Sequence, residues 1–127
     1  MIEVKNIIKS FEGRTVLNNI SAVFETGKTN LIIGRSGSGK TVMIKSIIGL
    51  IKPDSGQILY DNRDFTSMGK NELHVIRREM GMLFQGSALF DSMTVLENVL
   101  FPLDMFSKET KKEKIERAQI CLDRVNL

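Results

Sequence analysis

One run of eight residues constrains this chain more than any other: Gly34-Arg35-Ser36-Gly37-Ser38-Gly39-Lys40-Thr41 fits the pattern G-x-x-x-x-G-K-[ST]. Before it stands the apolar run Leu31-Ile32-Ile33, which reads as a buried strand of a mainly parallel sheet. After it, Val42, Met43, Ile44, Ile47, Ile48 and Ile51 make one broad helical face that should end at Gly49 or slightly later. Strand, glycine loop and helix are the setting this motif requires. Gly34, Gly37 and Gly39 permit positive φ and close approach, so the backbone N–H groups of the loop, those of Arg35, Ser36 and Ser38 included, can converge on phosphate oxygens. The helix N-terminus adds partial positive charge, Lys40 can reach β- and γ-phosphates, and the Thr41 hydroxyl can ligate Mg²⁺. The ligand predicted from these residues is a nucleoside triphosphate with magnesium. A plain Gly/Ser-rich turn would explain the composition but not the flanks.

Composition narrows the partners. The chain has 127 residues, enough for one domain with a core, and a formal net charge of only +3. Its basic cluster, Lys108, Lys111, Lys112 and Lys114, is interleaved with Glu109, Glu113 and Glu116. That pattern reads as a solvated helix face with i,i+4 pairs, and nothing calls for nucleic acid. Cys121 is the single cysteine, which rules out an intramolecular disulfide and favours a reduced cytosolic compartment. The first residues lack the basic and apolar regions of a secretory signal, and no apolar stretch is long enough to span a bilayer. Any work at a membrane would need another chain to provide the membrane part.

In chain order, Ile2 to Phe11 is a strand candidate, Glu12-Gly13 a turn, and Arg14 to Leu17 and Ile20 to Phe24 further strands with a break at Asn18-Asn19. These form an antiparallel portion. Pro53-Asp54-Ser55-Gly56 is a turn before the strand Gln57 to Tyr60, and Asp61 to Asp64 is another turn. Asn71 to Arg78 reads as a helix, with the sole histidine, His74, at its surface. Met80 to Phe84 reads as a strand ending at Gln85. Asp91, Ser92 and Thr94 offer caps for a helix from about Val95, which Pro102 should limit. Lys108 to Asn126 is amphipathic, with Ile115, Ala118, Leu122 and Val125 on one face.

Beyond the glycine loop the order and spacing of further residues match a known family. Lys9-Ser10-Phe11, Val16-Leu17, Gly27-Lys28, Gly49-Leu50, Pro53-Asp54-Ser55-Gly56, the arginines Arg77 and Arg78, and Phe84-Gln85 occur together as in the ATP-binding domain of ABC transporters, which the chain resembles over its whole length. The run from Phe84 to Val95, followed by Glu97-Asn98-Val99, most resembles the branch serving bacterial phospholipid trafficking with Mce-domain proteins. The resemblance implies that Phe11 stacks on adenine, that Val16 flanks the same ring, and that Gln85 touches Mg²⁺ and the attacking water. It implies further that the region from Gln85 to Val95 docks a transmembrane permease subunit, that a second ATP-binding subunit completes the site, and that the protein sits in the cytoplasm on the inner face of the cell membrane through its permease. The reaction implied is hydrolysis of ATP coupled to transport, with Lys40 and Gln85 as the catalytic residues present.

Two departures bear on that reading. Val42 stands where the family often has a threonine that helps hold the α-phosphate; its backbone N–H remains. The sequence also shows no L-S-G-G-Q-like signature, no apolar strand ending in Asp-Glu and no switch histidine, since His74 precedes Gln85. The expectation is therefore an α/β P-loop NTPase fold, truncated, with an antiparallel β portion and the start of a helical subdomain. Residues 1–85 would be the nucleotide-binding core, and residues 86–127 the glutamine loop and the subdomain's first part. The rival readings are a small-molecule P-loop kinase, against which Gln85 and the run after it argue, and a truncated fragment without catalysis.

Overall fold

Alternating apolar residues from Ile2 onward need a partner strand, and Glu12-Gly13 gives the shortest return. In the computed structural model, which describes residues 1–84, 86 and 88–127, strand β1 (Ile2–Phe11) doubles back as β2 (Arg14–Phe24). Glu12 and Gly13 take φ of 48° and 80°, as the two central residues of a type I′ turn must, and Phe11 consequently lies opposite Arg14. The same device closes a second hairpin. Strand β3 (Ser55–Tyr60) turns through Asp61 and Asn62, at φ 45° and 66°, into the short β4 (Arg63–Asp64). The strands make one antiparallel sheet in the order β2-β1-β3-β4.

The expected break at Asn18-Asn19 is a bulge instead. Asn6 and Asn19 both take positive φ, 50° and 54°, among shifts of register between β1 and β2, and Asn6 Nδ2 donates to Asn19 Oδ1 at 2.9 Å. An extra residue taken up in this way bends a strand without ending it.

The described residues also form helices α1 (Lys40–Ile47), between β2 and β3, and, after β4, α2 (Lys70–Arg78), α3 (Val95–Phe106) and α4 (Lys111–Asp123). Contacts divide the chain into Met1–Met82 and Leu83–Leu127. In the first unit, Val4, Ile7 and Leu17 from the long hairpin and Ile58 and Tyr60 from β3 share a core with Met43 and Ile47 of α1, Phe65, and Ile76 of α2. The Tyr60 hydroxyl donates to the Ile47 carbonyl, tying the end of α1 to the sheet. Burial pushes the Tyr60 phenol up to about 12, so it remains that donor throughout the neutral range. Helix α1 stops in a Schellman arrangement: Leu50 N–H donates to Lys45 O at 2.8 Å, Gly49 N–H donates to Ser46 O at 3.0 Å, and Gly49 takes φ 72°. A Cβ at Gly49 would also collide with the Phe65 ring.

Two expected strands carry no ladder. Leu31 and Ile33 are 78 % and 84 % exposed, while Ile32 between them packs against the core. The outer edges of the sheet are β2 and β4, so among the described residues no strand lies beside this run to pair with it. Met80 to Phe84 likewise forms no strand, and Leu83 is 97 % exposed.

In the second unit α3 packs on α4. Thr94 and Thr110 cap them, each in a reciprocal box with the glutamate three residues on, Glu97 and Glu113. Helix α3 runs through Pro102 to Phe106, past the limit expected there. One missing N–H removes a single ladder bond. The side of α3 that packs on α4, together with the Phe90–Phe101 ring contact at 4.7 Å between centroids and the Lys114–Asp104 ion pair at 3.1 Å, holds this helix in place. Of the α4 stripe, Ala118 is fully buried, whereas Val125 lies beyond the helix and is exposed.

Candidate functional site

The site is built where β2, the glycine loop and the first turn of α1 meet. Gly37 and Gly39 take φ of 76° and 92°, values that a residue with a Cβ adopts only at a cost, and Gly39 serves as the N-cap of α1. A Cβ on Gly34 would stand 2.5 Å from Ser38 Oγ. One on Gly39 would be pressed 3.1 Å from both the Val16 carbonyl oxygen and Leu17 Cδ2. Glycine is thus favoured at Gly39 for space and at Gly37 and Gly39 for backbone angle, while a Cβ at Gly34 would require the Ser38 hydroxyl to turn away. Ser38 N–H donates to Arg35 O at 3.2 Å, tightening the bend, and Met43 N–H donates to Gly39 O at 2.8 Å, starting the helix.

Lys40 is the first residue of α1, and its side chain folds back across the loop. Its Nζ donates to the carbonyls of Gly34 at 2.7 Å and Arg35 at 2.8 Å, which puts the ammonium within the arc of the glycine turn. The first turn of α1 carries no acidic residue of its own to offset the partial positive charge of the N–H groups there. Thr41 follows, exposed, and Val42 turns inward against the core. That packing accounts for an apolar side chain where the resemblance leads one to expect threonine.

Beside the loop lies an open cavity of about 280 Å³ lined by Arg14, Thr15, Val16, Gly37 and Ser38. The predicted Val16, Gly37 and Ser38 are therefore brought together. Arg14 and Thr15 join them without having been foreseen, although the signal was present: a two-residue turn at Glu12-Gly13 fixes Arg14 opposite Phe11 and starts the strand that carries Val16. Phe11 is not in the cavity wall. It stands at the tip of β1, 43 % exposed, with Lys9 Nζ 5.4 Å from its ring centroid. Gln85, expected to contact metal and water, lies outside the described residues.

A triphosphate fits this donor set: a loop whose glycines leave room for close approach, a helix N-terminus and the Lys40 ammonium all offer positive charge, and no carboxylate belongs to the run Gly34 to Thr41. For Mg²⁺ the described residues offer no cluster of three or more His, Cys, Asp or Glu side chains. The Thr41 hydroxyl is the oxygen donor at hand. That suits a metal which keeps several waters and is held chiefly by phosphate oxygens, arriving with its nucleotide.

In the second unit, the predicted docking region is shaped by Asn98. Its Oδ1 accepts from Phe90 N–H at 2.8 Å, and its Nδ2 donates to the carbonyls of Phe90, Met93 and Thr94 at 3.2, 3.2 and 2.9 Å. The amide thereby fixes the chain from Phe90 to Thr94, with Leu89, Phe90, Met93 and Val95 exposed.

Fold and loop together define a P-loop protein of the α/β class. The family model described as ABC transporter matches residues 17–127, and the chain belongs to that family. Among its relatives, a probable ribonucleotide transport ATP-binding protein of Mycobacterium leprae is 38 % identical over 126 residues, 99 % of this chain and 35 % of that protein. The intermembrane phospholipid transport system ATP-binding protein MlaF of Haemophilus influenzae is 40 % identical over 103 residues, 81 % of this chain and 39 % of its own length. A solved ATP-binding cassette, dimeric, in a post-hydrolysis state and bound to ADP and Pi, superposes with a TM-score of 0.88 at 34 % identity, covering 100 % of this chain and 58 % of that one. The chain thus spans little more than a third of these two curated relatives and somewhat over half of the solved cassette.

Proposed function

We propose that this chain is the nucleotide-binding portion of an ABC transporter ATP-binding subunit that serves lipid trafficking and takes up Mg-ATP through Gly34 to Thr41. The observation that carries the reading is the Lys40 ammonium held inside the glycine arc at the N-terminus of α1. The backbone N–H groups of the loop and of Val42 bind the phosphates, and Lys40 exchanges its two carbonyl contacts for β- and γ-phosphate oxygens. Thr41 and Gln85 would help hold Mg²⁺, which would offset phosphate charge, while Phe11 and Val16 would hold the base. The exposed apolar residues fixed by Asn98 support docking of the Gln85 to Val95 region on a transmembrane permease, at the inner face of the membrane. A second ATP-binding subunit is supported by the dimeric state of the solved cassette. No helix among the described residues is long and apolar enough to cross a membrane.

The lipid assignment is supported by the MlaF relative and by the run from Phe84 to Val99, against a ribonucleotide transport protein of similar identity. Phospholipid transfer between vesicles by a reconstituted transporter whose full-length ATP-binding subunit carries this chain tests it; transfer of a ribonucleotide and not of lipid would replace the substrate. The base site is tested separately. Phe11→Ala should weaken ATP binding about fivefold, the ~1 kcal/mol typical of aromatic stacking, while affinity for inorganic triphosphate holds. Equal losses for the two ligands, measured by displacement of a fluorescent ATP analogue, would assign Phe11 to folding.

A further inference from the structure

The tip of β1 is held on its β3 side by the side chain of Asp54. The β1–β3 ladder ends at Ile8 opposite Ser55, leaving Lys9, Ser10 and Phe11 beyond it. Asp54, immediately before β3, reaches across that gap. Its own N–H donates to Ile8 O at 2.8 Å, its Oδ2 accepts from Ser10 N–H at 2.7 Å, and its Oδ1 pairs with Lys9 Nζ at 2.6 Å. The carboxylate thus takes the place that a backbone carbonyl would fill if the ladder continued. Lys9, largely covered along its side chain, holds its ammonium 5.4 Å from the Phe11 ring centroid. The pair is electrostatically committed: the Lys9 hydrogen bond first, and then the Ser10 N–H, keep the Asp54 carboxyl below the usual carboxylate range.

We propose that Asp54 is a positioning residue for the base platform, holding the Lys9 ammonium against one face of the Phe11 ring so that the other face is presented to the adenine of ATP. The inference rests on the reading of Phe11 as the base-stacking residue and adds what orients it. A phenylalanine at the end of a hairpin has free rotation about two side-chain bonds, and each wrong rotamer lowers the fraction competent to stack. A cation drawn to the ring's negative face restricts that rotation. Without the carboxylate, the ammonium is free to turn to solvent.

The test is displacement of a fluorescent ATP analogue from the 127-residue chain by ATP and, separately, by inorganic triphosphate. Asp54→Asn keeps an oxygen acceptor for Ser10 N–H while removing the charge, and Lys9→Met keeps the stem while removing the ammonium. Each should weaken ATP about threefold and leave triphosphate unchanged, and Lys9→Arg should behave as wild type. In a Phe11→Ala background, both changes should add nothing further for ATP, an outcome that a merely structural role would not give. If Asp54→Asn melts early, Lys9→Met decides alone, since it leaves both backbone bonds of Asp54 in place. Losses shared by triphosphate, losses that persist without the Phe11 ring, or no loss at all would overturn the positioning role while sparing the stacking one. If Phe11→Ala itself leaves ATP affinity unchanged, both fall.

Discussion

Lys40→Ala should weaken Mg-ATP binding by about ten- to a hundredfold. The ammonium is a fully charged donor held on the carbonyls of the arc, and a hydrogen bond to a charged group contributes ~1.5–3 kcal/mol, with each ~1.4 kcal/mol a factor of ten in affinity. The change removes the two bonds from Lys40 Nζ to the Gly34 and Arg35 carbonyls, but the bend itself should survive, because the backbone angles at Gly37 and Gly39 and the Ser38 N–H bond to Arg35 O do not involve the lysine side chain. The loss should also be common to ATP and inorganic triphosphate, in contrast to the loss at Phe11, because Lys40 serves the phosphates and not the base. Competition with a fluorescent ATP analogue reads both. Unchanged affinity would remove the nucleotide from this loop.

Features that depend on near neighbours in sequence were legible; those that depend on distant strands were not. The turn at Glu12-Gly13, the helix after the glycine loop and the caps at Thr94 and Thr110 follow from local φ preference and from side chains that satisfy backbone donors within one turn. Asn18-Asn19 has the composition of a break, but positive φ at Asn19 is equally the mark of a bulge, and only its pairing with Asn6 across the hairpin decides between them. Leu31-Ile32-Ile33 has the composition of a buried parallel strand, yet a strand exists through its neighbours, and the described sheet places none beside this run. At the site, the glycine motif was readable because its spacing is its mechanism. Arg14 was missed although its position followed from the hairpin. The role of Asp54 was hidden by a turn signal: Pro53-Asp54-Ser55-Gly56 explains the bend, while the contacts to Lys9 and Ser10 require β1, more than forty residues away in sequence.

The purified 127-residue chain, even when it holds Mg-ATP, should release phosphate at a rate near background. Hydrolysis needs a positioned water, a base to take its proton, and donors aimed at the charge that develops on the transferring phosphoryl group. On the proposed reading the glycine loop, Lys40 and Thr41 would supply ground-state binding and part of that charge stabilisation, and Gln85 would hold the water. The family resemblance places the base after an apolar strand ending in Asp-Glu and the closing donors in a signature run like L-S-G-G-Q, carried by a second subunit; neither run occurs in these 127 residues. Removing a general base costs ~10²–10⁴ in rate, and removing a preorganised clamp on the developing charge costs a further ~10²–10³. Together these leave binding intact and take turnover below what steady-state phosphate release detects. Lys40→Ala, assayed at an ATP concentration below its raised Kd, serves as the control for contaminating ATPases, since it lowers nucleotide occupancy of this chain alone. Release near one per second that vanishes in Lys40→Ala would mean that another group in this sequence acts as the base, and substitution of the acidic residues nearest the loop would then locate it.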